Sequence, residues 1–131
     1  MTPMIKTLLI AALAAASLNA AAGDRVAGEA LAKKMNCAAC HGADYNSPID
    51  PSYPKLAGQH EDYLLNALRQ YQRAATNNRT QALSRNNAIM GGQTMITDEQ
   101  TKKQRPLTGK ELADLAAYLA SLPTQLSYRH K

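Results

Sequence analysis

The sequence predicts an all-α domain on three observations. Apolar residues recur at helical spacing in three stretches of the 131-residue chain. No stretch alternates apolar and polar residues as a half-buried strand does. One stretch carries a complete helix-start signature, Thr108 followed by Glu111. The length suits one folded domain.

The first segment belongs to export and not to the fold. A short head carrying Lys6 precedes the apolar run from Leu8 to Leu18, and Asn19-Ala20-Ala21-Ala22 follows. That is the order of a secretory signal peptide with a small-residue cleavage site. The run is shorter than the ~20 residues a membrane-spanning helix needs. The expected division is a leader at 1–22 and a folded domain at 23–131, with no membrane span once the leader is removed.

A first helix is expected from Asp24 to Met35, with Asp24 as N-cap and Val26, Ala27, Ala30, Leu31 and Lys34 on one face. Gly28 inside it suits a close helix crossing. The loop from Gly42 to Gly58 is rich in Pro, Asn and Asp and long enough to need a functional reason, such as wrapping a cofactor. Gln59 to Ala75 reads as a central helix, with Tyr63, Leu64, Ala67, Leu68 and Tyr71 at helical spacing. Thr76 to Asn87 reads as polar surface loop. In the last helix Thr108 and Glu111 form a capping box, and Leu107 and Leu112 stand at the staple positions. Leu112, Leu115, Ala116, Leu119 and Leu122 make its apolar face, and Pro123 ends it.

Between the first two helices stands Cys37-Ala38-Ala39-Cys40-His41. A C-x-x-C-H run is the sequence reading of covalent c-type haem attachment: two thiols on one turn can each form a thioether to the porphyrin edge, and the imidazole that follows can bind the iron. A thioredoxin-like redox pair would want a βαβ setting, and no strand pattern flanks the run. A structural zinc site would need four ligands, whereas His60 and His130 form no second pair. A disulfide across two residues would add almost no loop-closure stabilisation. Composition agrees, since the chain has no Trp or Phe and its six aromatics are all Tyr. A core so poor in large aromatics leaves room for a large planar cofactor.

With these residues in view, the chain resembles a class I c-type cytochrome. Cys37-Ala-Ala-Cys-His41-Gly42, Pro54-Lys-Leu-Ala-Gly-Gln59 and Ala116-Ala-Tyr118-Leu119, in that order, are similar to one half of a dihaem cytochrome c4 or to a monohaem cytochrome c-553. The resemblance implies three to four helices wrapped around one covalently bound haem c per chain. It implies thioethers at Cys37 and Cys40, proximal iron ligation by His41, and a hydrogen bond from the other imidazole nitrogen to the Pro54 carbonyl. It also places Gly28 and Tyr118 where the first and last helices cross. A thioether as distal ligand suits an electron-transfer haem. Met90 resembles the family ligand, and Met95 is the alternative. The chain departs from the family pattern in placing 16 residues between Met90 and Leu107. The charged stretch 94–106 within them is expected to be a solvated loop or short extra helix, or else a docking feature beside the haem edge.

The functional expectation is a periplasmic monohaem electron carrier and not an enzyme, with the iron cycling between two oxidation states while both axial ligands stay bound. The net charge of +5 points to acidic redox partner proteins, steered by Lys33, Lys34, Lys55 and Lys102, rather than to nucleic acid. Pairing with a second copy is left open. The rival readings are a haem-bearing subunit of a dehydrogenase or oxidase complex, and a haem enzyme or gas sensor with an open sixth position.

Overall fold

The computed structural model describes residues 22–77 and 85–126. The expected leader at 1–22 therefore lies outside the described residues except for Ala22, as does most of the polar segment after the central helix. Five helices and one hairpin follow in order: α1 (Arg25–Lys34), α2 (Ala38–His41), α3 (Glu61–Thr76), α4 (Ala88–Gln93), β1 (Met95–Thr97), β2 (Gln104–Pro106) and α5 (Gly109–Ser121).

The frame is the crossing of α1 and α5. Asp24 caps α1, its carboxylate accepting from the amides of Val26 at 2.8 Å and Ala27 at 3.1 Å. At Gly28 the two backbones meet, and a Cβ there would lie 2.0 Å from the Asp114 carbonyl oxygen. No side chain larger than hydrogen fits that approach. Beside the crossing, the Asp114 carboxylate is buried but fully partnered. It accepts from the Asp24 amide at 2.7 Å and pairs with Lys110 Nζ at 2.8 Å. The capping box of α5 is complete, with the Thr108 hydroxyl accepting from the Glu111 amide and the Glu111 carboxylate accepting from the Thr108 amide.

Two apolar clusters flank this frame. Ala32, Ile96, Leu107, Leu112 and Leu115 form one, and Tyr45, Ala57, Leu64, Ala116 and Leu119 the other. Cys37, Leu65 and Tyr118 pack against both. The candidate attachment residue thus sits where the two halves of the core join.

Three features differ from the sequence reading. Five helices are described rather than three to four, because α2 and α4 are single short turns that periodicity does not detect. The face of α1 is rotated: Val26 is 78% exposed, while Gly28 and Ala32 are buried. The glycine that admits α5 decides which side packs, overriding the count of apolar residues. Finally, the 94–106 insertion is neither loop nor helix but an antiparallel hairpin, pairing Met95 with Pro106, Ile96 with Arg105 and Thr97 with Gln104.

Candidate cofactor site

The chain turns sharply between α1 and α2. Asn36 takes a left-handed conformation at φ +54°, and the Cys37 amide donates back to the Ala32 carbonyl at 3.1 Å. One helical turn then carries the motif, with the His41 amide donating to the Cys37 carbonyl at 3.2 Å. Spacings of three and four along a helical turn bring Cys37, Cys40 and His41 to one side. Both thiols are free and half-buried. Burial pushes the Cys37 thiol upward in pKa, which suits a protonated sulfur and not a reactive thiolate.

His41 is 5% exposed, and its Nδ1 lies 2.8 Å from the Pro54 carbonyl oxygen. A carbonyl only accepts, so Nδ1 carries the proton and the lone pair resides on Nε2. Nε2 has no hydrogen-bond partner among the described residues. An orphaned buried acceptor beside two reduced thiols is the donor set that haem c requires. Tyr53 stands on the same side, its ring tilted 53° to the imidazole with centroids 6.2 Å apart. Among the described residues no three His, Cys, Asp or Glu side chains gather to hold a metal ion by themselves.

The loop that supplies Pro54 is fastened along its length. Gly42 turns at φ +86°, and a Cβ there would meet the Ser47 carbonyl at 2.2 Å. The Asp44 carboxylate accepts from the amides of Asn46 and Ser47 at 2.9 and 2.8 Å, and these bonds hold its pKa below the usual value. The Asn46 side chain donates to the Pro123 carbonyl at 2.9 Å and accepts from the Gln125 amide at 3.1 Å, tying the loop to the end of α5.

Met90 lies in α4, whose N-cap Asn87 accepts from the Met90 amide at 2.9 Å. Gly91 is buried against α3, where a Cβ would meet that of Ala75 at 3.0 Å. Met95 opens β1. Both methionines are half-buried on one short stretch, so burial does not separate them. The hairpin is anchored to three helices. The Gln72 side chain donates to the Leu107 carbonyl at 2.8 Å, Lys34 pairs with Glu99, and Arg105 grips Glu111 through two bonds of 2.8 and 2.9 Å. The Arg105 guanidinium is the main reason the Glu111 carboxyl is pushed down to about 2.

The four lysines expected to steer a partner divide in two. Lys33 pairs with Glu29 at 2.7 Å and Lys34 with Glu99, whereas Lys55 and Lys102 are exposed and form no ion pair among the described residues. The sequence reading did not single out Tyr45, which is buried in the same cluster as Ala57 and Leu64. The one signal was its position in the turn just after His41-Gly42.

The family model for cytochrome c matches residues 26–123. A cytochrome c4 from Pseudomonas aeruginosa is 40% identical over 98 residues, covering 75% of this chain and 38% of that protein. A cytochrome c4 from Stutzerimonas stutzeri is 37% identical over 92 residues, covering 70% of this chain and 39% of its own. A thiosulfate dehydrogenase electron acceptor from Thiomonas intermedia is 33% identical over 87 residues, covering 66% and 31% respectively. Among solved structures, that of reduced recombinant cytochrome c4 from Pseudomonas stutzeri superposes with a TM-score of 0.62 at 36% identity. The alignment covers 82% of this chain and 50% of that one. The chain spans about two-fifths of the length of the curated cytochrome c4 relatives it matches.

Proposed function

The chain belongs to the cytochrome c family, and we propose that it carries single electrons between redox proteins of the periplasm, exported there by the leader at 1–22. Its family cofactor is covalently bound haem c, one for a single domain of this kind. Bound, the haem supplies a one-electron iron couple. The residues of this chain do the rest. Cys37 and Cys40 hold the cofactor by thioethers. His41 offers Nε2 to the iron, and the Pro54 carbonyl, by accepting from Nδ1, fixes the ring and makes it a stronger donor. Met90 is the distal ligand in this reading, with Met95 as the alternative. With His41 and a methionine both held by the chain, little would have to reorganise when an electron arrives or leaves.

One observation carries the reading: a buried imidazole with one nitrogen satisfied and the other unpartnered, one residue from a free thiol. No helix among the described residues is long and apolar enough to cross a membrane. The relative named for accepting electrons from thiosulfate dehydrogenase lends support to a carrier that takes electrons from an enzyme. Partner choice would fall to exposed Lys55 and Lys102, since Lys33 and Lys34 are already paired with glutamates.

Absorption spectra of the purified holoprotein in both oxidation states test this directly. A ferric spectrum with the weak far-red methionine–iron band is expected, lost in Met90→Ala and kept in Met95→Ala. The reverse result would move the ligand to Met95. A wild-type spectrum without the band, together with ready carbon monoxide binding, would overturn the carrier reading in favour of an open sixth position.

A further inference from the structure

The stretch that carries Met90 and Met95 rests on α3 at two points. At the first, Gly91 is buried, and a Cβ on it would lie 3.0 Å from the Ala75 Cβ. At the second, the Gln72 side-chain amide donates to the Leu107 carbonyl at 2.8 Å and reaches the Thr94 carbonyl at 3.4 Å. Thr94 and Leu107 flank the hairpin, and the Leu107 amide donates to the Thr94 carbonyl at 2.9 Å. One side chain thus closes the base of the insertion. Gln72 and Ala75 are three positions apart, so both points share a face of α3.

Thr94 links the second point back to the first. It is fully buried, and its hydroxyl donates to the Gly91 carbonyl at 2.7 Å, closing the C-terminal end of α4. A helix of six residues does not hold its shape alone, so its position is set by these neighbours. Each candidate ligand is one residue from an anchored one: Met90 beside Gly91, and Met95 beside Thr94.

We propose that Gln72 is a positioning residue for the distal methionine: by tying both ends of the hairpin to α3, its amide sets how readily that ligand leaves the iron. The inference rests on the haem reading given above and holds for either methionine. Two backbone carbonyls converge on one side chain, and only a donor can serve them. Without that donor the stretch keeps its contact at Gly91 and is free to pivot about it.

Imidazole binding to the ferric holoprotein tests this, because at saturating imidazole the rate is limited by departure of the methionine. Gln72→Leu keeps an apolar stem and removes the donor. It is expected to raise the limiting rate about tenfold, the effect of one to two ordinary hydrogen bonds, with haem content unchanged. Asp24→Ala removes the cap of α1 and loosens the fold without touching the stretch. It is expected to lower the denaturant midpoint and leave the limiting rate alone. A limiting rate unmoved in Gln72→Leu, or raised equally in both variants, would overturn the proposal. Should Gln72→Leu fail to fold, hydrogen exchange in the unaltered ferric holoprotein reads the same clamp. Saturating imidazole is expected to speed exchange of the Leu107 amide and to leave the Leu56 amide unchanged. No change at Leu107, or an equal change at both, would sink it. The spectrum of the unaltered protein, measured first, separates the two readings. Absence of the methionine–iron band defeats both, whereas a band with an unmoved Gln72→Leu rate defeats only the role of Gln72.

Discussion

The two sides of the candidate site are held in different ways. The segment from Cys37 to Gly58 is fixed by hydrogen bonds between neutral groups and backbone carbonyls, a glycine turn and burial: His41 to Pro54, Leu56 and Ala57 to Tyr45, Asn46 to Pro123. The segment from Ala88 to Pro106 also buries Gly91, Thr94 and Ile96, but to the Gln72 bond it adds ion pairs at its surface, Lys34–Glu99 and Arg105–Glu111. Bonds of the first kind are screened from water and indifferent to salt. The two ion pairs of the second segment contribute little individually and weaken with acid or ionic strength. Neutral hydrogen bonds thus dominate beside the attachment motif, and ion pairs are added beside the two methionines.

The largest expected effect breaks the first side outright. Cys40→Ala leaves one thiol for attachment, and His41→Ala removes the proximal donor. Each is expected to reduce covalently bound haem on a denaturing gel to a small fraction, or to none for the pair combined. Retention of full haem by Cys40→Ala would show that the two-thiol reading is wrong. Next in size is a substitution that ought to affect both sides alike, because both hang from the α1–α5 crossing. Gly28→Ala would place a methyl 2.0 Å from the Asp114 carbonyl, against backbone that cannot step aside cheaply. Destabilisation of about 3 kcal/mol or more is expected, read from denaturant unfolding of the holoprotein. A loss confined to the spectrum of the distal ligand would mean that the crossing supports only one side.

The distal side alone is sharpened by Glu111. Its carboxyl caps α5 and grips Arg105 of β2, and its pKa is pushed down to about 2 from an ordinary 4.5. A depressed folded-state pKa contributes stability that is complete above the unfolded value and lost as the pH falls through the folded one. The fall is therefore expected between about pH 4.5 and 2. Glu111→Gln should cost about 1 kcal/mol at neutral pH and flatten that part of the acid unfolding profile. The methionine–iron band is expected to weaken over that range while the thioethers keep the haem attached. An acid profile unchanged in Glu111→Gln would assign the transition to other carboxylates.

How much of this could be read in the residues follows the same division. The attachment motif and the capping box are local, each spanning four or five positions, so their chemistry is visible in the residues themselves. The crossing at Gly28 was expected, but the packed face of α1 was misplaced, because the count of apolar residues turned Val26 inward while Asp114, 86 positions on, meets the helix at Gly28. The hairpin was hidden for another reason: strands of three residues are too short to show alternation, and its register depends on links to α3 and α5. The hydrogen bond at Pro54 was expected only through family resemblance, and Tyr45 not at all. A left-handed tyrosine inside a core is recognised only once its neighbours are in place.

The smallest effect separates lysines by what already neutralises them. Lys34 with Glu99 is close to a neutral dipole, while Lys102 at the hairpin tip carries a charge with no counterpart among the described residues. Exchanging the pair as Lys34→Glu with Glu99→Lys preserves both the link and the net charge, and steering over several ångströms depends on net charge. Lys102→Glu changes that charge by two. With an anionic one-electron oxidant such as ferricyanide, the exchange should leave the rate near that of the unaltered protein. Lys102→Glu should slow it a few-fold at low salt and converge with it at high salt. If instead the exchange slows the reaction and Lys102→Glu does not, approach runs past the α1 end of the hairpin. The hairpin tip would then be scaffold for the distal stretch and no part of the docking surface.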